Sequence, residues 1–240
     1  MEQTPSNLPD PDERRLVSVV MPAYDEAATI DVVLQRVLDL DLRLEVLVVD
    51  DGSSDDTAAI VERVDGVQLI RHERNRGKGA AVRTGIQAST GEIVVIQDAD
   101  LEYDPRDLPR LLGPLIEGVA DVVYGTRLRG GEPQRAHLFW HYAGNRFLSL
   151  VTNVLYNTTI SDMEVGYKAF RGDLIRSIDL VSDDFGFEPE VTAKLLRRRD
   201  IRLYEIPISY YGRTYDEGKK ITWRDGIKAL AVLIRFRVGG

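Results

Sequence analysis

A chain of 240 residues with 43% hydrophobic and 29% charged residues can bury a full α/β core, and this composition excludes disorder over most of its length. The absence of cysteine excludes disulfides, thiolate metal sites and cysteine nucleophiles together, and fits a reducing compartment such as the cytoplasm. A net charge of −8 disfavours nucleic acid as a partner, but the balance is uneven: from Arg213 onward seven basic residues face three acids, so this end is +4 and the rest −12.

Residues 1–14, MEQTPSNLPDPDER, are polar and proline-rich with no apolar stretch, and are expected to form a mobile tail rather than a signal peptide or a membrane span. β-Branched runs then recur at residues 15–23 (RLVSVVMPA), 44–51 (LEVLVVDD), 67–73 (VQLIRHE), 92–100 (EIVVIQDAD) and 120–127 (ADVVYGTR). Near-continuous apolar strands of this kind predict a mostly parallel sheet covered on both faces. Between the first two runs, Ile30, Val33, Leu34, Val37 and Leu38 fall on one helix face. Helices near 55–64, 78–89 and 106–117 complete a doubly wound α/β pattern. Further on, residues 137–157 carry an apolar stripe of Trp140, Phe147, Leu148, Val151, Val154 and Leu155, edged by His137, His141 and Arg146. Such a stripe either packs on the core or lies in a lipid headgroup layer. Residues 221–238 predict a terminal amphipathic helix with a basic border, packed on the domain or resting on the membrane surface. No apolar run approaches the roughly 18 residues that a membrane span needs.

Polar residues gather just past the predicted strand ends, where folds of this class bind ligands: Pro22 to Glu26, Asp50 to Asp56, Asp98 to Glu102, and Gly125 to Arg127. In DDGSSDDT (50–57) a turn and a helix N-cap explain Ser54 to Thr57. They do not explain Asp50 and Asp51, doubled at the end of a buried strand, where a carboxylate can accept from a nucleobase or a ribose. In VVIQDADLEYDP (94–105) four acids crowd together, and like charges this close call for a compensating cation or a set of donors. Asp98, Asp100 and Glu102 are hard oxygen ligands suited to Mg²⁺ or Mn²⁺ bridging to a diphosphate. NRGKGAAVRTG (75–85) has Val82 where a dinucleotide fingerprint needs glycine and lacks the spacing of a P-loop, although Lys78 can approach a phosphate. His137 and His141 lack the third ligand that a metal site would need.

Taken in order, MPAYDEAATI, VVDDGSSDDT, NRGKGAAVRTG, IQDADLEYDP, VYGTRLRGG, ISDMEVGYKAFR and FGFEPEVTAKL resemble family 2 glycosyltransferases. More narrowly they resemble the dolichol-phosphate mannosyltransferase-like branch, which moves a sugar from a nucleotide onto a polyprenyl phosphate. The resemblance spans roughly residues 15–225 and implies a single GT-A (Rossmann-like) domain over 15–220, followed by the helix of 221–240. It implies that Pro22, Ala23, Tyr24, Glu26 and Asp51 form the nucleotide pocket, with Asp51 set against the base. Asp98, Ala99 and Asp100 match the DxD segment where metal and diphosphate meet. Glu102 stands where the mannosyltransferases often carry glutamine, as a third metal ligand. Arg127 matches the arginine beside the phosphates, and Arg213 with Lys219 or Lys220 a basic segment closing over the donor. Asp100 and Arg127 are thus the expected catalytic pair, with Arg127 and Arg146 receiving the acceptor phosphate.

A phosphate acceptor is already anionic near neutral pH and attacks the anomeric carbon without a base, inverting its configuration. The implied partners are a nucleotide sugar of the GDP-mannose or UDP-glucose type, a polyprenyl phosphate and the cytoplasmic face of a membrane. Two alternatives stay open. Transfer to a saccharide or small-molecule hydroxyl would use Asp162 or Glu164 as base. A donor-binding module would instead serve a membrane-protein partner.

Overall fold

Strand β1 (Val17–Ala23) is buried along its whole length because both faces of the sheet are covered, which is why its sequence shows no polar alternation. It pairs in parallel with β2 (Leu44–Asp50) on one side and with β4 (Ile93–Ile96) on the other, and β2 pairs with β3 (Val67–Arg71). The computed structural model describes residues 14–135, 138–212 and 223–239. Within them seven strands form one sheet in the order β3-β2-β1-β4-β6-β5-β7, where β5 is Val122–Thr126, β6 is Lys168–Arg171 and β7 is Leu203–Pro207. All neighbours run parallel except β6, which is antiparallel to both β4 and β5. The five expected strands are present, and the chain leaves β1 toward β2 on one side and returns to β4 on the other. The carboxyl ends of β1 and β4 therefore bound a topological switch point.

Helix α1 (Ile30–Leu38) buries Ile30, Val33, Leu34 and Val37 completely, each contributing about 1.5–3 kcal/mol by removing apolar surface from water. Helix α2 (Thr57–Val61) is shorter than the expected 55–64, while α3 (Lys78–Ala88) and α4 (Leu108–Ile116) lie where periodicity puts them. The strand expected over 92–100 stops at Ile96. Beyond it the chain bends, and Asp100 Oδ1 accepts from the Glu102 backbone N–H at 3.0 Å. Strands β6 and β7 and helices α6 (Gly172–Arg176) and α7 (Phe187–Leu196) were not anticipated. In β6 (KAFR) a charged residue stands at each end, and in β7 (LYEIP) an acid stands in the middle, so neither presents the apolar run by which the other strands are read.

Helix α5 (Phe139–Tyr156) and helix α8 (Trp223–Val238) pack on each other and on α7 rather than on the sheet. Only Leu148, Ser149 and Thr152 of α5 are buried, while Phe139, Trp140, Phe147, Leu150 and Val154 face outward, Trp140 at 81% exposure. Part of the basic border of α8 is used internally: Lys228 Nζ pairs with Asp184 Oδ2 at 3.0 Å, and Arg237 Nε donates to the Leu155 carbonyl at 2.8 Å. Arg14, assigned to the tail, is ion-paired to Asp41 at 2.6 Å, and the rest of the expected tail lies outside the described residues. Among the described residues no helix is long and apolar enough to cross a membrane.

Candidate active site

A cavity of about 960 Å³ opens at the carboxyl ends of β1, β2 and β4 and extends under β6 toward α5, α7 and α8. Its first end is lined by Pro22, Ala23, Tyr24, Glu26 and Asp51, all expected on the nucleotide side. The two loops meeting there are laced together. Asp25 adopts a left-handed φ of 53° and accepts from the Ser54 N–H at 2.8 Å, while the Glu26 N–H donates to Thr57 Oγ1 at 2.9 Å. Asp50 is fully buried and turned away, accepting from the Ser53 N–H and Arg71 Nε. Asp51 lines the cavity, and its oxygens also fasten the 75–77 loop: Oδ1 accepts from the Arg76 N–H and His72 Nδ1, and Oδ2 from the Gly77 N–H at 2.7 Å.

The glycines of NRGKG have a packing reason. Gly77 has φ of 98°, and a Cβ there would lie 2.2 Å from the Asp183 carbonyl oxygen. The start of α3 is thus pressed against the segment that leads into α7. Between these two elements, Lys78 Nζ lies 2.8 Å from Asp98 Oδ1 and 3.4 Å from Glu188 Oε1. Burial opposes charging this ammonium, but Asp98 and Glu188 outweigh it and keep Lys78 well above its ordinary range, hence a fixed cation.

Asp98, Ala99, Asp100 and Glu102 all line the cavity. Two carboxylates with space for phosphate oxygens and water are the donor set that a hard divalent cation takes, so Asp98 and Asp100 fit one. Among the described residues no three His, Asp or Glu side chains converge as a metal cluster, so Glu102 does not join the other two in one. Its Oε2 instead accepts from Tyr210 Oη at 3.0 Å, because the chain bends after Ile96 and the alternation of an extended strand is lost.

Arg127 lines the cavity beyond the acids and is clamped from below by Asp162, which is 0% exposed. The Arg127 backbone N–H and Nε donate to Asp162 Oδ2 at 2.9 and 2.8 Å, Nη2 donates to Oδ1 at 2.7 Å, and Asn145 Nδ2 donates to Oδ1 at 2.6 Å. Burial pushes the Asp162 carboxyl up, but the charge and hydrogen bonds of Arg127 prevail and hold it below the usual carboxylate range. The Arg127 guanidinium also lies 5.0 Å from the centre of the Tyr210 ring, a cation–π contact that sequence gave no reason to expect.

Antiparallel β6 explains how ISDMEVGYK reaches the cavity: running against its neighbours, it begins at the face where they end, so the loop before it lies beside their carboxyl ends. The loop is pinned along its length by Ser149 Oγ to the Met163 N–H, by Tyr103 Oη to the Gly166 N–H, and by Lys168 Nζ to the Met163 and Val165 carbonyls. Glycine at 166 lets the loop approach closely, since a Cβ would lie 2.5 Å from Asp98 Oδ2 and 2.9 Å from Tyr103 Cε2. Glu164 lines the cavity, and its Oε1 is buried with no hydrogen-bond partner. Burial, then the neighbouring Glu188, push its carboxyl up.

The remaining wall is apolar and comes from the outward helices: Trp140, Phe147 and Leu148 of α5, and Ile227 and Leu230 of α8. Arg146, expected at the acceptor phosphate, is exposed and does not line the cavity. At about 100° per residue it is rotated away from the line of Asn145 and Leu148, and Asn145 takes the inward position. His141 lines the cavity; His137, Arg213, Lys219 and Lys220 lie outside the described residues. Sequence reasoning missed Asn145, Tyr103, Tyr210 and the carboxylate of Glu188. For Glu188 a signal was present, one of two acids inside the otherwise apolar FGFEPEV.

The profile of the family described as Glycosyl transferase family 2 matches residues 18–178. An undecaprenyl-phosphate mannosyltransferase of Micrococcus luteus is 31% identical over 221 residues, covering 85% of this chain and 86% of that protein. Glycosyltransferase AglJ of Haloferax volcanii is 31% identical over 207 residues, 86% of this chain and 65% of its own length. Among solved structures, glucosyl-3-phosphoglycerate synthase from Mycobacterium tuberculosis in complex with Mn²⁺, UDP and phosphoglyceric acid superposes with a TM-score of 0.74. It is 23% identical and is matched over 93% of this chain and 79% of that one, a likeness of fold.

Proposed function

The chain belongs to glycosyl transferase family 2 and is a glycosyltransferase, and we propose that it moves a hexose from a nucleoside diphosphate sugar to a polyprenyl phosphate at a membrane surface. The observation that carries this reading is the continuity of one cavity, which runs from Asp98 and Asp100 to the apolar wall of α5 and α8. A lipid phosphate needs both: cations beside the carboxylates for its head, and exposed apolar helices for its tail and for the bilayer around it. The relative named for undecaprenyl-phosphate transfer supports the acceptor class, and the fold neighbour in complex with Mn²⁺ and UDP supports a metal-assisted donor site.

Asp98 and Asp100 would hold Mg²⁺ or Mn²⁺, which when bound neutralises charge on the departing diphosphate. Lys78 supplies a second, fixed positive charge beside Asp98, and Arg127 a third at the acceptor side. The acceptor phosphate oxygen forms a bond to the anomeric carbon as the bond to the diphosphate oxygen breaks on the opposite face. No proton has to be removed, which agrees with the state of Asp162: a general base needs a lone pair turned to the substrate, and this carboxylate is bound up with Arg127 and Asn145.

The test is a panel of GDP-mannose, UDP-glucose and other nucleotide sugars, each offered with a short polyprenyl phosphate, with the corresponding polyprenol, and with Mg²⁺ or Mn²⁺. Product is identified by mass spectrometry. Glycosylation of the phosphate and not of the alcohol is expected; the reverse result overturns the reading.

A further inference from the structure

Glu188 is the second residue of α7, where an acid complements the helix dipole without needing to be buried. Its helix-mate Glu190 is buried with full compensation, accepting from the Val181 and Ser182 N–H groups and from Lys194. Glu188 is buried without it. The residue is 5% exposed, its Oε1 lies 3.4 Å from Lys78 Nζ, and its Oε2 is buried with no hydrogen-bond partner while the side chain lines the cavity. Glu164 repeats the pattern from the loop before β6, with Oε1 buried, without a partner, and on the same cavity. A buried carboxylate oxygen left without a donor carries its full desolvation penalty, so two beside one cavity point to donors that arrive with a ligand.

The order of the strands says which part of the ligand. Residues of the β1 and β2 ends line the nucleotide end of the cavity. Next across the sheet β4 presents Asp98 and Asp100, and next again β6 presents the loop of Glu164 and Gly166. Glu188 is one lysine ammonium away from Asp98. In a nucleoside diphosphate sugar the group that follows the diphosphate is the hexose, whose vicinal hydroxyls are paired donors.

We propose that Glu188 and Glu164 form the subsite that accepts hydrogen bonds from the hydroxyl groups of the donor hexose, and that Glu188 is a specificity-determining residue for that sugar. This rests on the nucleotide-sugar reading above. The subsite is rigid before the ligand arrives. Lys168 and Tyr103 pin the loop carrying Glu164, and close packing of Gly77 on Asp183 holds the segment leading to α7 against α3. Burial and the Glu188 charge raise the affinity of Glu164 for a proton, so the pair can offer one donor among its acceptors, which suits a hydroxyl that both donates and accepts.

The experiment is calorimetric titration of wild type and Glu188→Gln, with Mn²⁺ present, using UDP, GDP, UDP-glucose and GDP-mannose. The expected result is a loss of about tenfold to a hundredfold in affinity for whichever sugar nucleotide the wild type binds, the range of a hydrogen bond to a charged group. Affinity for the matching nucleoside diphosphate should stay within about twofold. Equal losses for both ligands would mean that Glu188 acts only by placing Lys78, and would overturn the inference. If Glu188→Gln does not fold, Glu188→Asp keeps the charge beside Lys78 while withdrawing the carboxylate by one methylene, and the same split between sugar nucleotide and nucleotide is required. Wild type that binds none of the four ligands would instead overturn the nucleotide-sugar reading itself.

Discussion

Replacing Asp162 with asparagine separates two roles that a buried acid beside a transferase cavity can have. If Asp162 is the clamp of Arg127, Asp162→Asn removes the charge facing a buried guanidinium and disrupts an array of four hydrogen bonds from Arg127 and Asn145. Breaking a buried ion pair from one side costs about 3–5 kcal/mol, because the other charge stays buried and uncompensated. For a domain of this size each kcal/mol lowers the melting temperature by about 2–4 °C, so a drop of about 6–20 °C is expected in a calorimetric or fluorescence melt at pH 7. The acid side gives a second readout. The folded-state affinity of Asp162 for protons is lowered, so its contribution is fully present above the ordinary carboxylate pKa, about 3.9, and is lost as pH falls below it. The gap between wild type and variant should therefore be constant above about pH 5 and should narrow in acid. Turnover, measured well below the melting point and corrected for folded fraction, should fall by less than about 10²-fold, with the rise in acceptor KM carrying most of it. An unchanged melting point with a kcat loss of about 10³-fold or more, on the scale of losing a general base, would refute the clamp and favour a hydroxyl acceptor.

Gly166→Ala puts a methyl 2.5 Å from Asp98 Oδ2 and should weaken UDP or GDP binding at least tenfold, mainly when Mn²⁺ is present; equal losses by titration with and without Mn²⁺ would count against a metal role for Asp98. The double substitution Phe139→Asp/Trp140→Asp, at positions 66% and 81% exposed, should leave the melt within about 2 °C and abolish co-sedimentation with anionic vesicles, and retention of vesicle binding would exclude α5 as the membrane face. Asp121 joins Arg171 and Arg202, tying β5 to the ends of β6 and β7, and the hydrogen bonds of Arg202 hold its carboxyl well below the usual range. Asp121→Asn should cost about 1–3 kcal/mol in urea denaturation at pH 7, with the difference fading as pH drops below about 4, since a lowered carboxyl contributes only above that window.

The five apolar strands, the helices between them and the crevice at their carboxyl ends were all legible in the sequence. Burial on both faces leaves a continuous β-branched run, and acids at the end of such a run stand out against it. The order of motifs gave the family, and Pro22, Asp51, Asp98, Asp100 and Arg127 do line one cavity. The sequence did not reveal antiparallel β6, four residues long, although that reversal alone carries the Glu164 loop to Asp98. It did not separate Asp162 from Glu164, two acids in one motif, because which of them meets Arg127 depends on a turn of chain against α5. Nor did it distinguish Arg146 from Asn145, where one residue of helix rotation decides between solvent and cavity. Local pattern is written in neighbouring residues, so a sequence determines strands, helices and the kinds of groups at their ends. The meeting of Lys78 with Asp98 and Glu188, across 110 positions of chain from the lysine to the farther acid, exists only after the sheet has brought α3, β4 and α7 together, and so only the tertiary structure decided it.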